Sequence, residues 1–443
     1  MVPRTSSRDL TKLYAATSRP AGAGERTLST LARGLVGSEI LKIASEIRAM
    51  QKSGQQVCNL TVGDFSSTEF RIPRRLEEGI AAALAAGQTN YPPSDGVLDL
   101  REAVARLFER SFGLVAPVES VLIAGGARPL IYAAYRAVLD PGETVVYPVP
   151  SWNNNHYAHL AGARGVAVTA GAESRFLPSA RALKPHLAEA RLLCVNTPLN
   201  PTGTVLEESE VRAIAELVVE ENRRREAAGR RSLWLLWDQV YWMLSFGGAR
   251  HWTPPELVPE SAPYTLFVDG ISKAFAATGL RVGWSVAPPE ITGTMRDILG
   301  HVGAWAPRPE QVATARLLAD EGAVTAYHEG MIREVRRRLD RLHEGFTSMA
   351  AAGLPVSSLP PQGAIYLSAR FDLIGRRRGG ARIATNEEIR RLLLEDAGFA
   401  VVPFQAFGLA EESGWMRLSV GAISLEAIDT GLERVRALLS HLG

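Results

Sequence analysis

The chain has 443 residues, of which 46% are apolar, and its 49 lysines and arginines nearly balance 47 aspartates and glutamates. A net charge of +2 excludes a polyelectrolyte surface, so nucleic acid and anionic membranes are poor candidates for partners. No apolar run reaches the length that is needed to span a membrane. The two cysteines, Cys58 and Cys194, lie far apart in apolar surroundings, which argues against a disulfide framework or a metal site and favours a reducing cytoplasm.

The first 35 residues differ from the rest of the chain. Basic residues outnumber acidic ones in residues 1–35, among Ser, Thr, Ala and Gly. This composition resembles an organelle transit peptide, and it fits equally well an N-terminal arm that lies over a partner subunit, or a disordered segment. We favour the arm or disorder, in a cytoplasmic protein.

The body of the chain alternates between helical patterns and apolar strands. A helix is predicted from Ser38, with Ile43 and Ile47 on one face, and a strand follows at 57–62. Further apolar strands are predicted near 121–124, 144–148, 192–196, 233–238, 265–269 and 282–286. Near-continuous apolar strands separated by helices are typical of a mostly parallel sheet that is covered on both faces. The sequence therefore predicts an α/β fold.

The last third of the chain predicts a second, smaller domain. A long helical stretch is expected from about residue 310, then short strands and helices, then a final helix at 424–441. The predicted organisation is a large domain at 81–320 and a smaller α+β domain formed by 36–80 and 321–443. The N-terminal strand is expected to return and join this smaller domain.

The segment at 270–283, G-I-S-K-A-F-A-A-T-G-L-R-V-G, carries a lysine and an arginine eight residues apart. Lys273 lies on the turn that leaves a buried strand, and Arg281 follows between two glycines. A lysine amine forms a Schiff base with a carbonyl cofactor, and a fixed arginine clamps a phosphate bidentately. Pyridoxal 5′-phosphate (PLP) carries both an aldehyde and a phosphate. For this segment alone, the alternative is a surface lysine and a helix-end arginine that meet no ligand.

Three further motifs stand in order along the chain, each next to an apolar strand-like run. They are G-G-A-R at 125–128, N-T-P-L-N-P-T-G at 196–203 and L-W-L-L-W-D-Q-V-Y at 233–241. With the lysine segment, these motifs resemble fold-type I PLP enzymes, specifically the class I/II aminotransferase family. The resemblance runs from about Asn59 to the C-terminus. It implies a large PLP-binding domain with a mostly parallel, mixed sheet, and a smaller α+β domain.

The resemblance implies a role for each residue that matches a family motif. Lys273 would hold PLP as an imine and then act as general base at the substrate α-carbon. Asp238 would keep the pyridine nitrogen protonated, while Tyr241 and Asn200 would donate to the ring phenolate oxygen. Trp152 would stack on the ring. The phosphate would be bound by Gly126, Ala127, Arg128, Arg281 and, across a homodimer with shared active sites, Tyr91.

Two residues match the family's contacts to the substrate α-carboxylate: Arg417, in G-W-M-R-L-S, and the backbone of Gly63. Arg308 is a candidate for binding the distal carboxylate of a dicarboxylic amino acid, whereas Trp305 beside it would favour an aromatic side chain. A rim arginine bonded to Glu310 or to solvent fits Arg308 as well. The implied small-molecule partners are an α-amino acid and a 2-oxo acid.

The leading interpretation is a PLP-dependent aminotransferase that acts on an L-amino acid of aspartate, glutamate or aromatic type. The same fold also supports PLP-dependent decarboxylases, lyases and condensing enzymes, which break other bonds at the α-carbon. A non-catalytic regulatory module that binds PLP is the third alternative. The lack of a convincing DNA-binding domain at the N-terminus speaks against it.

Overall fold

In the computed structural model of the chain, the described residues are 9–16, 28–35, 37 and 39–442. The chain divides into two compact units, residues 1–36 and residues 37–443. Much of the predicted N-terminal arm, at 1–8 and 17–27, lies outside the described residues.

The first unit contains two short helices, α1 (Leu10–Ala16) and α2 (Thr30–Arg33). The Ser29 hydroxyl caps α2 by accepting a hydrogen bond from the Ala32 N–H at 3.1 Å. This contact satisfies one of the backbone donors that a helix leaves free at its N-terminus.

The helices of the second unit confirm the alternation predicted from the sequence. The predicted final helix is present and begins after the capping residue Ser424, and the long helical stretch after residue 307 forms two helices instead of one. In chain order, the helices are α3 (Glu39–Lys52), α4 (Arg74–Ala85), α5 (Leu98–Phe112), α6 (Ala127–Val138), α7 (Asn154–Ala161), α8 (Ala180–Leu183), α9 (Glu208–Ala227), α10 (Pro254–Leu257), α11 (Ile271–Ala274), α12 (Pro289–Val302), α13 (Arg308–Leu318), α14 (Glu321–Ala351), α15 (Asn386–Ala397) and α16 (Leu425–Ser440).

A strand forms within or across each apolar run that the sequence predicted, although the predicted strand at 57–62 is reduced to Cys58–Asn59. In chain order, they are β1 (Cys58–Asn59), β2 (Val121–Ala124), β3 (Thr144–Val149), β4 (Arg164–Thr169), β5 (Ala190–Asn196), β6 (Trp234–Asp238), β7 (Thr265–Gly270), β8 (Gly283–Val286), β9 (Val356–Ser358), β10 (Tyr366–Phe371), β11 (Arg377–Arg378), β12 (Ala381–Arg382), β13 (Phe399–Ala400), β14 (Val402–Pro403) and β15 (Trp415–Ser419).

Seven of these strands form one mixed sheet in the order β2-β8-β7-β6-β5-β3-β4. The pairs from β7 to β4 are parallel, and β8 runs antiparallel to both of its neighbours, β2 and β7. The predicted α/β fold with a mostly parallel sheet is therefore confirmed. Strand β4, which the sequence did not predict, is the edge strand next to β3, and most of its side chains are exposed or half-buried.

Helices cover both faces of this sheet because successive side chains of a strand point in opposite directions. In β6, Leu236 shares an apolar core with residues of α6 and α12. The adjacent Leu235 and Trp237 belong to a different core, with residues of α5, α9 and α13. The central strands are buried on both faces, which explains their near-continuous apolar sequence.

A separate core unites the C-terminal elements. Strands β14, β15, β10 and β9 form an antiparallel sheet, and β1 pairs in parallel with β13. Apolar residues of β10 and β15 pack there with α14, α15 and α16. Tyr241 and Leu244, which follow β6, are also part of this core. The end of β6 therefore lies where the seven-stranded sheet meets the core of the C-terminal elements.

Within the described residues, none of the helices combines the length and the apolar character that crossing a membrane requires.

A buried arginine ties α9 to the chain that leads into β5. Arg225 is 2% exposed, and its guanidinium donates to Glu221 Oε1 at 2.7 Å and to the carbonyls of Leu187 and Ala190 at 2.7 and 2.6 Å. Glu221 is itself 7% exposed. Breaking such a pair leaves an uncompensated buried charge.

We therefore expect Arg225→Met to lower the free energy of unfolding by about 3–5 kcal/mol. The matched control is Arg224→Met, which removes a largely exposed arginine that pairs with Glu220 and, at 4.0 Å, with Glu221. Because the Arg224 side chain is solvated, its loss is expected to cost less than about 1 kcal/mol. Denaturant unfolding of both variants measures the difference. Equal losses would show that the buried arginine does not hold α9 in place.

Candidate active site

The carboxyl ends of three neighbouring strands, β5, β6 and β7, lie side by side. Asn196 pairs with Asp238, and Asp238 pairs with Val268, two residues before the end of β7. The Asn196 side chain donates to the Asp238 carbonyl at 2.9 Å and accepts from the Asn200 N–H at 2.8 Å. Because parallel strands end at the same edge of a sheet, the polar residues that follow each strand meet here.

Lys273 lies on the short helix α11, directly after β7. Its Nζ donates a hydrogen bond to the Gly63 carbonyl at 2.5 Å and lies 5.9 Å from the centre of the Tyr241 ring. Burial lowers the pKa of this amine to about 8, and Arg417 is among the cations that lower it further, while Asp64 raises it. An amine with a pKa near neutrality is suited to act as nucleophile and as base.

Arg417, on β15, is 2% exposed. Its guanidinium donates to the Thr61 carbonyl at 2.5 Å and faces Asn200 Oδ1 at 3.4 Å. It also lies over the rings of Tyr366 and Phe407, at 4.8 and 4.9 Å from their centres. Its Nε is buried without a hydrogen-bond partner, and the guanidinium forms no salt bridge with any carboxylate in the described part of the chain. This cation is therefore available to an anionic ligand.

The turn between β2 and α6 is shaped to hold an anion. Gly126 has a φ of 94°, in the left-handed region that favours glycine, and Ala127 begins α6. Arg281 donates to the Gly125 carbonyl at 3.0 Å and to the Thr278 carbonyl at 2.7 Å. A Cβ on Gly126 would overlap the Arg281 guanidinium. A helix N-terminus and a fixed arginine thus share one small space, as phosphate binding requires.

Asp238 and Tyr241 lie together after β6. The Asp238 Oδ1 accepts a hydrogen bond from the Val240 N–H at 3.3 Å, and burial raises the pKa of this carboxyl to about 7. Tyr241 is 4% exposed, and its hydroxyl lies 2.7 Å from that of Tyr366. A positive charge next to Asp238 would favour its ionised form.

The predicted stacking residue Trp152 is half-buried and lies next to Arg128. The Arg128 side chain is exposed, and its guanidinium lies 5.5 Å from the centre of the Trp152 ring. Burial lowers the pKa of Arg281, and the charge of Arg128 lowers it further. The structure therefore places Arg128 beside Trp152, at the turn between β2 and α6.

Two of the predicted residues form a group of their own. The Tyr91 side chain is 81% exposed, and its ring lies edge-on to Trp305 with the ring centres 5.2 Å apart. The Arg308 guanidinium reaches the Tyr91 carbonyl at 3.5 Å. This group adjoins the turn between β2 and α6, because the Gly125 N–H donates to the Ala304 carbonyl at 2.8 Å.

Two further residues of the site were not predicted from the sequence. Asp64 accepts a hydrogen bond from the Thr278 hydroxyl, and its charge opposes the effect of burial on the pKa of Lys273. Because Asp64 directly follows Gly63, which the sequence had marked as a site residue, its position could have indicated that it belongs to the site. Tyr366, the first residue of β10, contacts Tyr241 and Arg417. No local motif marks it, because its partners are remote in sequence.

The chemistry of these side chains fits PLP. The turn at Gly126 and Arg281 suits a phosphate, and the Lys273 amine suits an aldehyde carbon. The Asp238 carboxyl suits a protonated ring nitrogen. Arg417, with its orphaned Nε, suits the carboxylate of an amino acid.

Comparison with known proteins agrees with this geometry. The profile of the family described as aminotransferase class I and II matches residues 55–435. The chain belongs to this family. Its cofactor is accordingly pyridoxal 5′-phosphate, and its reaction is the transfer of an amino group.

Three members of the family show how far the likeness extends. An aspartate/prephenate aminotransferase from Thermus thermophilus is 31% identical over 424 residues, which cover 94% of this chain and 100% of that protein. The structure of an aspartate aminotransferase from Rhizobium meliloti matches with a TM-score of 0.85 at 28% identity, covering 94% and 100% of the two chains. An aromatic aminotransferase from Pyrococcus horikoshii matches with a TM-score of 0.77 at 29% identity, covering 89% and 98%.

We expect Gly126→Ala to weaken PLP binding by tenfold or more, about 1.4 kcal/mol. The new Cβ would displace the Arg281 guanidinium, and alanine is strained at this φ. The control is Gly293→Ala in α12, where an added Cβ meets nothing within 4 Å. Titration of each cofactor-free protein with PLP, followed by absorbance, gives the affinities. Equal affinities in the two variants would show that the phosphate of PLP does not bind at this turn.

Proposed function

We propose that this aminotransferase moves the α-amino group of an acidic or aromatic L-amino acid to a 2-oxo acid, with Lys273 as the residue that attaches PLP. The observation that carries the proposal is the convergence of two side chains on Gly63. Lys273 Nζ donates to the Gly63 carbonyl at 2.5 Å, and a Cβ on Gly63 would lie 3.7 Å from an Arg417 nitrogen. An amino acid whose carboxylate binds Arg417 therefore presents its α-carbon close to the Lys273 amine.

The residues around the cofactor have separate tasks in this proposal. PLP, when bound, withdraws electrons from the substrate α-carbon. Asp238 holds a proton on the ring nitrogen, and Trp152 stacks on the ring. Tyr241 donates its hydroxyl proton to the ring oxygen. Because the Asn200 amide oxygen faces Arg417, its NH₂ group is left to donate to the same ring oxygen.

The phosphate and the substrate are bound by opposite sides of the site. Arg281 and the N–H groups at the start of α6, from Ala127, hold the phosphate, with Arg128 beside Trp152. Arg417 orients the substrate carboxylate bidentately. Lys273 Nζ, whose pKa of about 8 leaves a useful fraction unprotonated at neutral pH, would accept the proton from the substrate α-carbon and hold it for the next proton transfer.

We also propose the two-domain division, with 81–320 as the large domain and 36–80 with 321–443 as the small one. The cores on the two faces of the seven-stranded sheet support the large domain. The core of β10, β15, α14 and α16 supports the small domain. In this organisation, the large domain supplies Lys273 and Asp238, and the small domain supplies Arg417 and Gly63.

A homodimer with shared active sites is part of the proposal. Tyr91 is 81% exposed although its ring contacts Trp305, so it is available to the phosphate of a partner subunit. We place the dimer in the cytoplasm. Cys58 and Cys194 support this location, because both are free thiols, as is usual in a reducing compartment.

Borohydride treatment of the PLP-loaded protein is expected to fix the cofactor to the peptide that contains Lys273. Lys273→Ala should lose this attachment and lower turnover by about 10²–10⁴-fold through the missing base alone. Lys184→Ala, which removes a largely exposed lysine, serves as the matched control and should change neither. Mass spectrometry of the digested protein locates the cofactor. Attachment to another lysine would refute the proposal.

The shared site predicts complementation between two inactive variants. Mixed dimers of Lys273→Ala and Tyr91→Ala chains contain one site in which both residues are intact, so mixing should restore up to about a quarter of the wild-type activity, because half of the randomly paired dimers are mixed. Activity after subunit exchange, beside each variant alone, is the measurement. A protein that is monomeric and fully active at assay concentration would contradict the shared site.

Arg308 is expected to select for an acidic side chain. Losing a desolvated contact to a carboxylate should cost about 2–5 kcal/mol, so Arg308→Ala should raise KM for aspartate and glutamate far more than for alanine or phenylalanine. The control is Arg316→Ala, which removes an exposed arginine from the same helix, α13. A uniform effect on all four amino acids would leave Arg308 with a structural role only.

A further inference from the structure

Tyr366 joins three parts of the site without being needed by the reaction as described above. It is 1% exposed, and its hydroxyl lies 2.7 Å from the Tyr241 hydroxyl. The two rings meet edge-on, with their centres 5.6 Å apart and an angle of 71° between their planes. A buried phenol makes such a hydrogen bond because an unpaired hydroxyl would be costly to desolvate.

The other neighbours of Tyr366 bind the substrate in the proposed function. The Arg417 guanidinium lies over its ring at 4.8 Å from the centre. A Cβ on Gly63 would lie only 2.9 Å from the Tyr366 hydroxyl oxygen. The phenol therefore reaches the Gly63 backbone because this residue has no side chain. Tyr366 thus connects the carboxylate-binding arginine to the tyrosine that faces the cofactor.

The direction of the hydrogen bond between the two tyrosines follows from their proton count. Each phenol has one proton to donate, and the 2.7 Å contact between the hydroxyls needs one donor and one acceptor. If Tyr241 directs its proton at the ring oxygen of PLP, as in the proposed function, the proton between the two hydroxyls comes from Tyr366. Burial raises the pKa of both phenols, and Arg417, which lies over the Tyr366 ring, opposes this effect at both.

We propose that Tyr366 is a positioning residue that donates its hydroxyl proton to the Tyr241 oxygen and so leaves the Tyr241 proton directed at the ring oxygen of PLP. This inference rests on the proposed role of Tyr241. A hydroxyl that accepts one hydrogen bond becomes a stronger donor in the next. Tyr366 therefore strengthens the contact through which Tyr241 favours the ionised ring oxygen.

The test is a pH titration of the visible absorbance of the PLP-loaded protein in four forms: wild type, Tyr366→Phe, Tyr241→Phe and the double variant. Phenylalanine at 366 keeps the ring beneath Arg417 and removes only the hydroxyl. Tyr241→Phe should raise the apparent pKa of the imine that joins the bound cofactor to Lys273. Tyr366→Phe should raise it by a smaller amount, about 0.3 unit, because it weakens the same contact without removing it.

The double variant decides between a role through Tyr241 and an independent one. It should titrate like Tyr241→Phe alone, because Tyr366 then has no hydroxyl to act on. Tyr327→Phe is the control: its hydroxyl donates to the Arg71 carbonyl at 2.9 Å, and its loss should leave the titration unchanged.

Three results would overturn the inference, and they differ in whether the proposed role of Tyr241 also fails. If Tyr366→Phe shifts nothing, or shifts the titration equally with and without the Tyr241 hydroxyl, Tyr366 does not act through Tyr241, and the proposed function stands. If Tyr241→Phe itself shifts nothing, the role of Tyr241 fails, and the inference fails with it. Circular dichroism and PLP content of each variant establish that the fold and the cofactor are retained.

Discussion

The buried charge of Arg417 is the constraint around which the site is organised. A guanidinium that is 2% exposed and has no carboxylate partner among the described residues has lost most of its hydration. The Thr61 carbonyl, Asn200 and two aromatic rings compensate for only part of this loss. The attraction for a carboxylate is correspondingly large, because charges interact strongly in a poorly solvated space. The folded chain thus keeps a buried positive charge that is only partly satisfied, and we propose that the substrate carboxylate satisfies it.

The fold brings a second set of ionisable groups, Lys273 and Asp238, to the ends of neighbouring strands. The ends of β5, β6 and β7 place Asn196, Asp238 and the turn to Lys273 at one edge of a sheet that is buried on both faces. The same burial lowers the pKa of Lys273 and raises that of Asp238. Burial therefore moves the pKa values of both groups towards neutral pH. There the amine can accept a proton, and a protonated ring nitrogen nearby would favour the ionised carboxylate.

The sequence predicted the parts of the molecule that depend on local patterns. The apolar runs at β2, β5, β6 and β7 were identified because both faces of these strands are buried, whereas the exposed edge strand β4 carried no such pattern. The separation of α13 from α14 at Ala319 and Asp320 was missed, because both sides have helical periodicity. Tyr366 was missed because its contact with Tyr241 joins residues 125 positions apart. The grouping of Arg308 with Tyr91, 217 positions apart, likewise required the structure.

The central claim is that an unpaired buried cation is retained for carboxylate binding at a cost in stability. The most direct test is the thermal unfolding of the wild type and of Arg417→Met, each with and without a non-reactive dicarboxylate such as succinate. Without ligand, the variant should unfold at the same temperature as the wild type or at a higher one, because the buried charge is gone. Succinate should raise the unfolding temperature of the wild type only. A variant that unfolds at a lower temperature without ligand, or that succinate stabilises as much as the wild type, would contradict the claim.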